Sequence, residues 1–299
     1  MKKEKFSTGT IELTVAMLVS GIVGVFFKES HQAVFNVVFY RCIFGTIFLG
    51  LYCYFKGYFK QHNLTLPLLT LALLSGVSLI LNWVLIFKSF SLTSIALGTV
   101  VYHTQPFFVV ILGSLILKTT ISKNKIAWIA IAFLGLVLVT KLRLTMVSID
   151  SSYIIGILFA LLAAIFYALT TLLVKCLEGV RPHLIVLIHL TLGIFLVVPF
   201  TSLEKVPLFG NHWYYLLGLG VIHTGIVYIL MYSSYQKLTT SAIAVLTFAN
   251  PASAMLSDYV IYGHILEPIQ GVGVALIGLA SLAVNLNWPL LPTNLTSKM

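Results

Sequence analysis

Ten apolar runs follow one another along this chain with only short polar stretches between them, near 11–27, 32–55, 66–87, 93–117, 124–140, 152–174, 183–201, 213–235, 240–262 and 268–288. A helix needs about 20 mostly apolar residues to cross a hydrocarbon layer of about 30 Å, and helices and closed barrels are the structures that satisfy their backbone polar groups in lipid. The pattern predicts an all-α integral membrane protein with ten transmembrane helices. Ten spans use about 200 residues, and the remaining stretch is consumed by connections and tails, so no separate soluble domain is expected.

Charged residues make up 9% of the chain against about 25% in an ordinary soluble domain, too few to wrap a water-soluble globule. A soluble enzyme, a nucleic-acid module and a receptor with a folded ectodomain are excluded. The formal charge of +10 is read as topology rather than as a nucleic-acid footprint, because Lys and Arg fall between the apolar runs. With the N-terminus inside, twelve stand on the inner side (Lys2, Lys3, Lys5, Lys56, Lys60, Lys118, Lys123, Lys125, Lys175, Arg181, Lys237 and Lys298) and five outside (Lys28, Lys88, Lys141, Arg143 and Lys205). Both termini are therefore expected in the cytoplasm. Cys42, Cys53 and Cys176 show no ligand spacing and are read as packing residues, and no metal or cofactor site is expected.

An internal repeat sets the architecture. Ser91-Leu92-Thr93-Ser94 followed by Pro106 recurs, about 146 residues later, as Lys237-Leu238-Thr239-Thr240 followed by Pro251. Each proline follows an amide inside an apolar run, as Gln105-Pro106 and Asn250-Pro251, and is expected to break its helix. Lys28 and Lys175 close the first helix of each half, and Arg41 answers to His189 in the second. The halves divide as 1–145 and 146–299. Five spans per half, an odd number, force the second half into the membrane upside down, giving two inverted five-helix repeats with a central site that opens to either face.

With its Lys28 to Arg41 spacing, its Ala96 to Pro106 and Ala242 to Pro251 stretches and the Gly-rich last helix of each half, the chain resembles the ten-helix drug/metabolite transporter superfamily in its EamA-type branch. The resemblance implies movement of small metabolites, commonly export of amino acids or related compounds, across a bacterial inner membrane. Members often carry Glu just after the proline-containing helix, where this sequence has Lys118 and His264.

Ionisable and polar groups inside lipid are costly and are functional candidates by default. Arg41 lies about 13 Å along the second helix, at 1.5 Å per residue, too deep for easy snorkelling. It either clamps a substrate carboxylate or ties helix ends through backbone carbonyls. Asn82 and Trp83 in the third span, with Tyr228, Tyr232 and Gln236 four residues apart in the eighth, place amide and aromatic groups on repeat-related helices, suited to an amino acid or a flat metabolite. His103, Gln105 and Asn250 flank the two prolines and complete the expected substrate-binding set. Asp258, His189 and His223 are candidates for proton coupling. Glu12 reads as a solvated helix-end charge, and Gly156, Ala160, Ala164 and Ala168 as a small-residue stripe for helix packing.

The function expected is a secondary active transporter working by alternating access, with a monomer or homodimer in the lipid bilayer. The alternative is an uncoupled facilitator or a structural membrane subunit. GxxxxGK[ST], HExxH and GxSxG patterns are absent from the sequence, so neither direct nucleotide drive nor an enzyme is expected.

Overall fold

The computed structural model describes residues 2–60, 64–93, 98, 101–118, 122–140, 151–262, 268–286 and 288–290. Among these the protein is helical, without strands. The helices are α1 (Lys2–Ser20), α2 (Val23–Glu29), α3 (Val34–Phe55), α4 (Leu66–Leu92), α5 (Gln105–Ile116), α6 (Lys123–Thr140), α7 (Ser151–Cys176), α8 (Pro182–Val197), α9 (His212–Gly218), α10 (Val227–Lys237), α11 (Thr240–Leu246), α12 (Ala249–Tyr262) and α13 (Pro268–Asn285). A π-helical segment, Leu219–Ile226, joins α9 to α10.

Among the described residues, six helical stretches are long and apolar enough to cross a membrane: Phe6–Phe27, Val34–Phe55, Leu66–Ser89, Ser151–Cys176, Pro182–Phe200 and His212–Lys237. The expected spans 93–117 and 240–262 are not continuous helices among the described residues. Helix α5 begins at Gln105 with Pro106 in its first turn, and the chain from 240 to 262 stops at Leu246 and restarts at Ala249. The second break fits Pro251, which has no N–H to offer the carbonyl of Thr247, and that carbonyl accepts from Asn250 N instead at 3.2 Å. The first span is interrupted as well, at Gly21 and Ile22.

Packing is nearly unchanged when the two halves are exchanged. Helix α4 lies on α7 as α10 lies on α1, α5 lies on α7 as α12 lies on α1, and α4 meets α8 as the π segment meets α3. The pairs α3 with α8 and α6 with α13 map onto themselves. Small residues set these distances. The stripe Gly156, Ala160, Ala164 and Ala168 is buried, and a Cβ added at Gly156 would lie 2.5 Å from Thr93 Cγ2. A Cβ on Gly220 of the π segment would lie 2.5 Å from Phe44 Cβ and 3.2 Å from the Arg41 carbonyl, so this glycine lets the segment reach the backbone of α3.

Candidate functional site

The close approach of α3, α4, α7 and the π–α10 strut brings a polar and aromatic cluster into the middle of the bundle. Arg41 on α3 is 4% exposed, and its Nε donates to Thr224 Oγ1 at 2.9 Å. Its guanidinium carbon stands 4.3 Å from the centre of the Trp83 ring, and Trp83 Nε1 donates to the Tyr228 hydroxyl at 3.0 Å. Thr224 in turn donates to the Leu219 carbonyl five residues back, at 2.6 Å, a bond that fits the wider π turn. Neither terminal nitrogen of Arg41 donates to a protein atom, and no acidic side chain pairs with it among the described residues. A cation held in the bundle interior without a counter-ion is costly, and it becomes favourable when an anion arrives.

Acceptors and further donors surround it. The Asn82 amide spends both N–H bonds, on the Ala163 carbonyl at 2.8 Å and the Tyr102 hydroxyl at 3.3 Å, while its buried Oδ1 has no partner. Gln105 Nε2 is buried without an acceptor, and His223 Nδ1 likewise lacks a partner. Buried polar atoms are almost always bonded, so the orphans at Asn82, next to Trp83, and at His223, next to Thr224, mark where a ligand is expected beside Arg41. Tyr228, Tyr232 and Tyr235 follow one another along α10 with ring centres 5.6 and 6.0 Å apart, the first pair edge to face, and the Tyr235 hydroxyl meets that of Tyr167 at 2.9 Å.

Of the residues singled out by sequence, Arg41, Asn82, Trp83 and Tyr228 lie in this cluster. Tyr232 joins it through Tyr228. His103 is buried one residue from Tyr102, with its ring 6.5 Å from Phe248. Asn250 is half-buried in the first turn of α12, two residues past Phe248. His189 lies beside the cluster, tying three helices together: Nε2 meets Ser75 Oγ at 2.7 Å and Nδ1 meets the Tyr232 hydroxyl at 2.8 Å. Ser75 already donates to the Ala72 carbonyl, so the arrangement of protons that serves all three has His189 donating from Nε2 and accepting at Nδ1. The side chains of Asp258 and Pro251 lie outside the described residues. Thr224, Tyr167 and Tyr235 were not singled out in the sequence. Tyr235 carried a signal, since it continues the Tyr228, Tyr232 face at helical spacing, whereas Thr224 had none.

Glu12 is no free helix-end charge, because its Oε1 pairs with Lys237 Nζ at 2.5 Å, joining α1 to α10. A cavity of about 700 Å³ opens at the far end of the bundle, lined by Glu29, His31, Asn36, Asn211, His212 and Tyr215 among others. From it the rings of Tyr215, Phe26 and His223 lead toward Arg41, with centres 5.8 and 4.7 Å apart.

Comparison with known proteins bears on what this bundle does. The sequence pattern of the EamA-like transporter family matches residues 7–141 and again residues 154–286. The chain belongs to the EamA-like transporter family. It is thus a multi-pass membrane protein and a transporter of the drug/metabolite superfamily, built from two family repeats. It is similar to the uncharacterized transporter YxxF of Bacillus subtilis, with 33% identity over 94% of this chain and 90% of that one. An uncharacterized transporter of Archaeoglobus fulgidus is 23% identical over 90% of this chain and 93% of its own length. A solved crystal structure, 16% identical, superposes with a TM-score of 0.81 over 94% of this chain and 97% of that one, a likeness of fold.

Proposed function

We propose that this transporter exports amino acids or related small carboxylates across the cell inner membrane by alternating access between two inverted repeats, with both termini in the cytoplasm. The observation that carries the reading is Arg41, buried between the halves with two terminal donors unspent and no acidic partner among the described residues. A carboxylate accepts both donors in a fork and neutralises the charge. The unpaired Asn82 Oδ1 and the tyrosine faces around it supply acceptors for an ammonium group, so a zwitterion matches the cluster better than a simple anion. Trp83 and the tyrosine column offer flat apolar surface to the rest of the cargo.

Coupling to protons is part of the proposal. His223, with Nδ1 unpaired and next in sequence to Thr224, which Arg41 contacts, and Asp258 are the groups assigned to it. His189, whose two nitrogens are both engaged, serves the scaffold in this state. The experiment is flux in proteoliposomes with labelled amino acids and related metabolites, with and without an imposed pH gradient. Gradient-driven accumulation of carboxylate cargo supports the proposal in full. Movement only to equilibrium leaves a facilitator, and transport restricted to cargo lacking a carboxylate overturns the assignment of Arg41.

A further inference from the structure

One contact departs from the exchange of halves. Helix α7 packs along α10, whereas the counterpart contact, of α1 and α2 with α4, is sparse among the described residues, with Phe27 stacked on Phe87 at 4.9 Å. The α7 to α10 contact is closed by a reciprocal exchange of side chains. Lys175, at the end of α7, donates to the Tyr235 carbonyl at 3.2 Å and to the Leu238 carbonyl, both at the end of α10. Gln236, at the end of α10, donates through Nε2 to the carbonyls of Leu177 and Val180, just past α7, at 3.0 and 3.1 Å. The last carbonyls of a helix have no partner within it and carry the negative end of its dipole, so a lysine from a parallel neighbour is a strong clasp. Beneath this clasp the Tyr167 and Tyr235 hydroxyls meet at 2.9 Å. The 700 Å³ cavity lies at the opposite end of the bundle, where no such exchange is seen among the described residues.

We infer that Lys175 and Gln236 form a latch that closes the transport path at the end carrying residues 175–181 and 235–239, holding the protein open at the other end. The two helices it joins belong to different packing groups, α4, α5 and α7 on one side and α1, α10 and α12 on the other, so releasing it frees one group to rock against the other. The first repeat offers a weaker counterpart. Lys28 matches Lys175 in the sequence, but in the register that sets Ser91-Leu92-Thr93 on Lys237-Leu238-Thr239 the position of Gln236 is matched by Phe90, whose ring has no donor for a carbonyl. The chemistry thus biases the resting protein toward the conformation described here.

The test needs no cargo, so it stands or falls apart from the carboxylate reading. Cys42, Cys53 and Cys176 are replaced by alanine, and one reporter is added. Thr171→Cys sits one turn below Lys175 and is fully buried, while Ala33→Cys lines the opposite cavity. The probe is a small hydrophilic maleimide, applied to purified protein in lipid nanodiscs. Lys175→Met with Gln236→Leu is expected to raise labelling of Thr171→Cys roughly tenfold and to lower that of Ala33→Cys, because the population moves from one state to the other. Lys175→Arg, which keeps the charge and donors, is expected to label like the parent. Unchanged labelling at Thr171→Cys overturns the latch, and so does a rise at both reporters, which marks a loosened fold rather than an exchange of states.

Discussion

Replacing Arg41 by methionine separates a clamp from a tie, because the two roles predict opposite changes in stability. Among the described residues Arg41 gives one hydrogen bond, from Nε to a Thr224 hydroxyl that keeps its own bond to the Leu219 carbonyl when the arginine is gone. Methionine fills similar volume, rests on Trp83 and removes an uncompensated cation, a change that is commonly neutral or stabilising in a buried site. The thermal midpoint is therefore expected to hold or to rise by a few degrees. Cargo binding behaves the other way. Two charge-assisted hydrogen bonds are worth about 1.5–3 kcal/mol each, and after water refills the vacated space a net loss of about 3 kcal/mol remains, roughly a hundredfold in Kd. Arg41→Lys keeps the charge but not the fork, and is expected to lose about tenfold. The assay is titration calorimetry of the purified transporter with a carboxylate that it carries, beside a thermal melt of each variant. Unchanged affinity in Arg41→Met refutes the clamp, as does a fall in the midpoint with affinity preserved.

Other perturbations read separate parts of the argument. His189→Phe leaves the buried Tyr232 hydroxyl without its acceptor and removes the bond to Ser75, so α8 loses its ties to α10 and α4, and is expected to cost about 2–4 kcal/mol, seen as a lower thermal midpoint with little change in cargo selectivity. Gly220→Ala forces a methyl against Phe44 Cβ, placed 2.5 Å away, and is expected to cost about 1–3 kcal/mol and to slow flux by spreading α3 from the π segment. Asp258→Asn is expected to abolish pH-driven accumulation while sparing downhill exchange, and uphill transport preserved in this variant removes Asp258 from the coupling.

The membrane character and the duplication were legible because both rest on repeated, long-range regularities: the length of the apolar runs and the recurrence of an amide-proline pair inside them. The breaks were only half legible. Pro106 and Pro251 announced them, but the break between Leu246 and Ala249 lies a few residues before Pro251, and hydropathy does not register a single residue inside an apolar run. The π segment had no signal at all, since it depends on Gly220 reaching the backbone of α3 and on Thr224 bonding the carbonyl of Leu219. The same holds for the site. Arg41, Asn82 and Trp83 stood out as polar or amphipathic groups in apolar helices, while the partners that orient them, Thr224 and Ala163, are ordinary residues until the helices cross.

A scaffold that is nearly unchanged when its halves are exchanged carries chemistry that is not. Where the first repeat places Arg41, the second places His189, and each does what its position permits: the arginine keeps two donors unspent, whereas the histidine has both nitrogens engaged by Ser75 and Tyr232. If both positions carried an arginine, two buried cations would repel one another and demand a second anion from the cargo. If both carried a bonded histidine, the centre would be rigid and uncharged, with no group left to recognise a carboxylate. On the proposed reading, symmetry of packing would let the two halves trade conformations at little cost, and asymmetry of side chains would decide what is held at the centre and which end stays closed while it waits. The reciprocal exchange of Lys175 and Gln236 obeys the same division, because the helices that it clasps have counterparts in the first repeat while the glutamine does not.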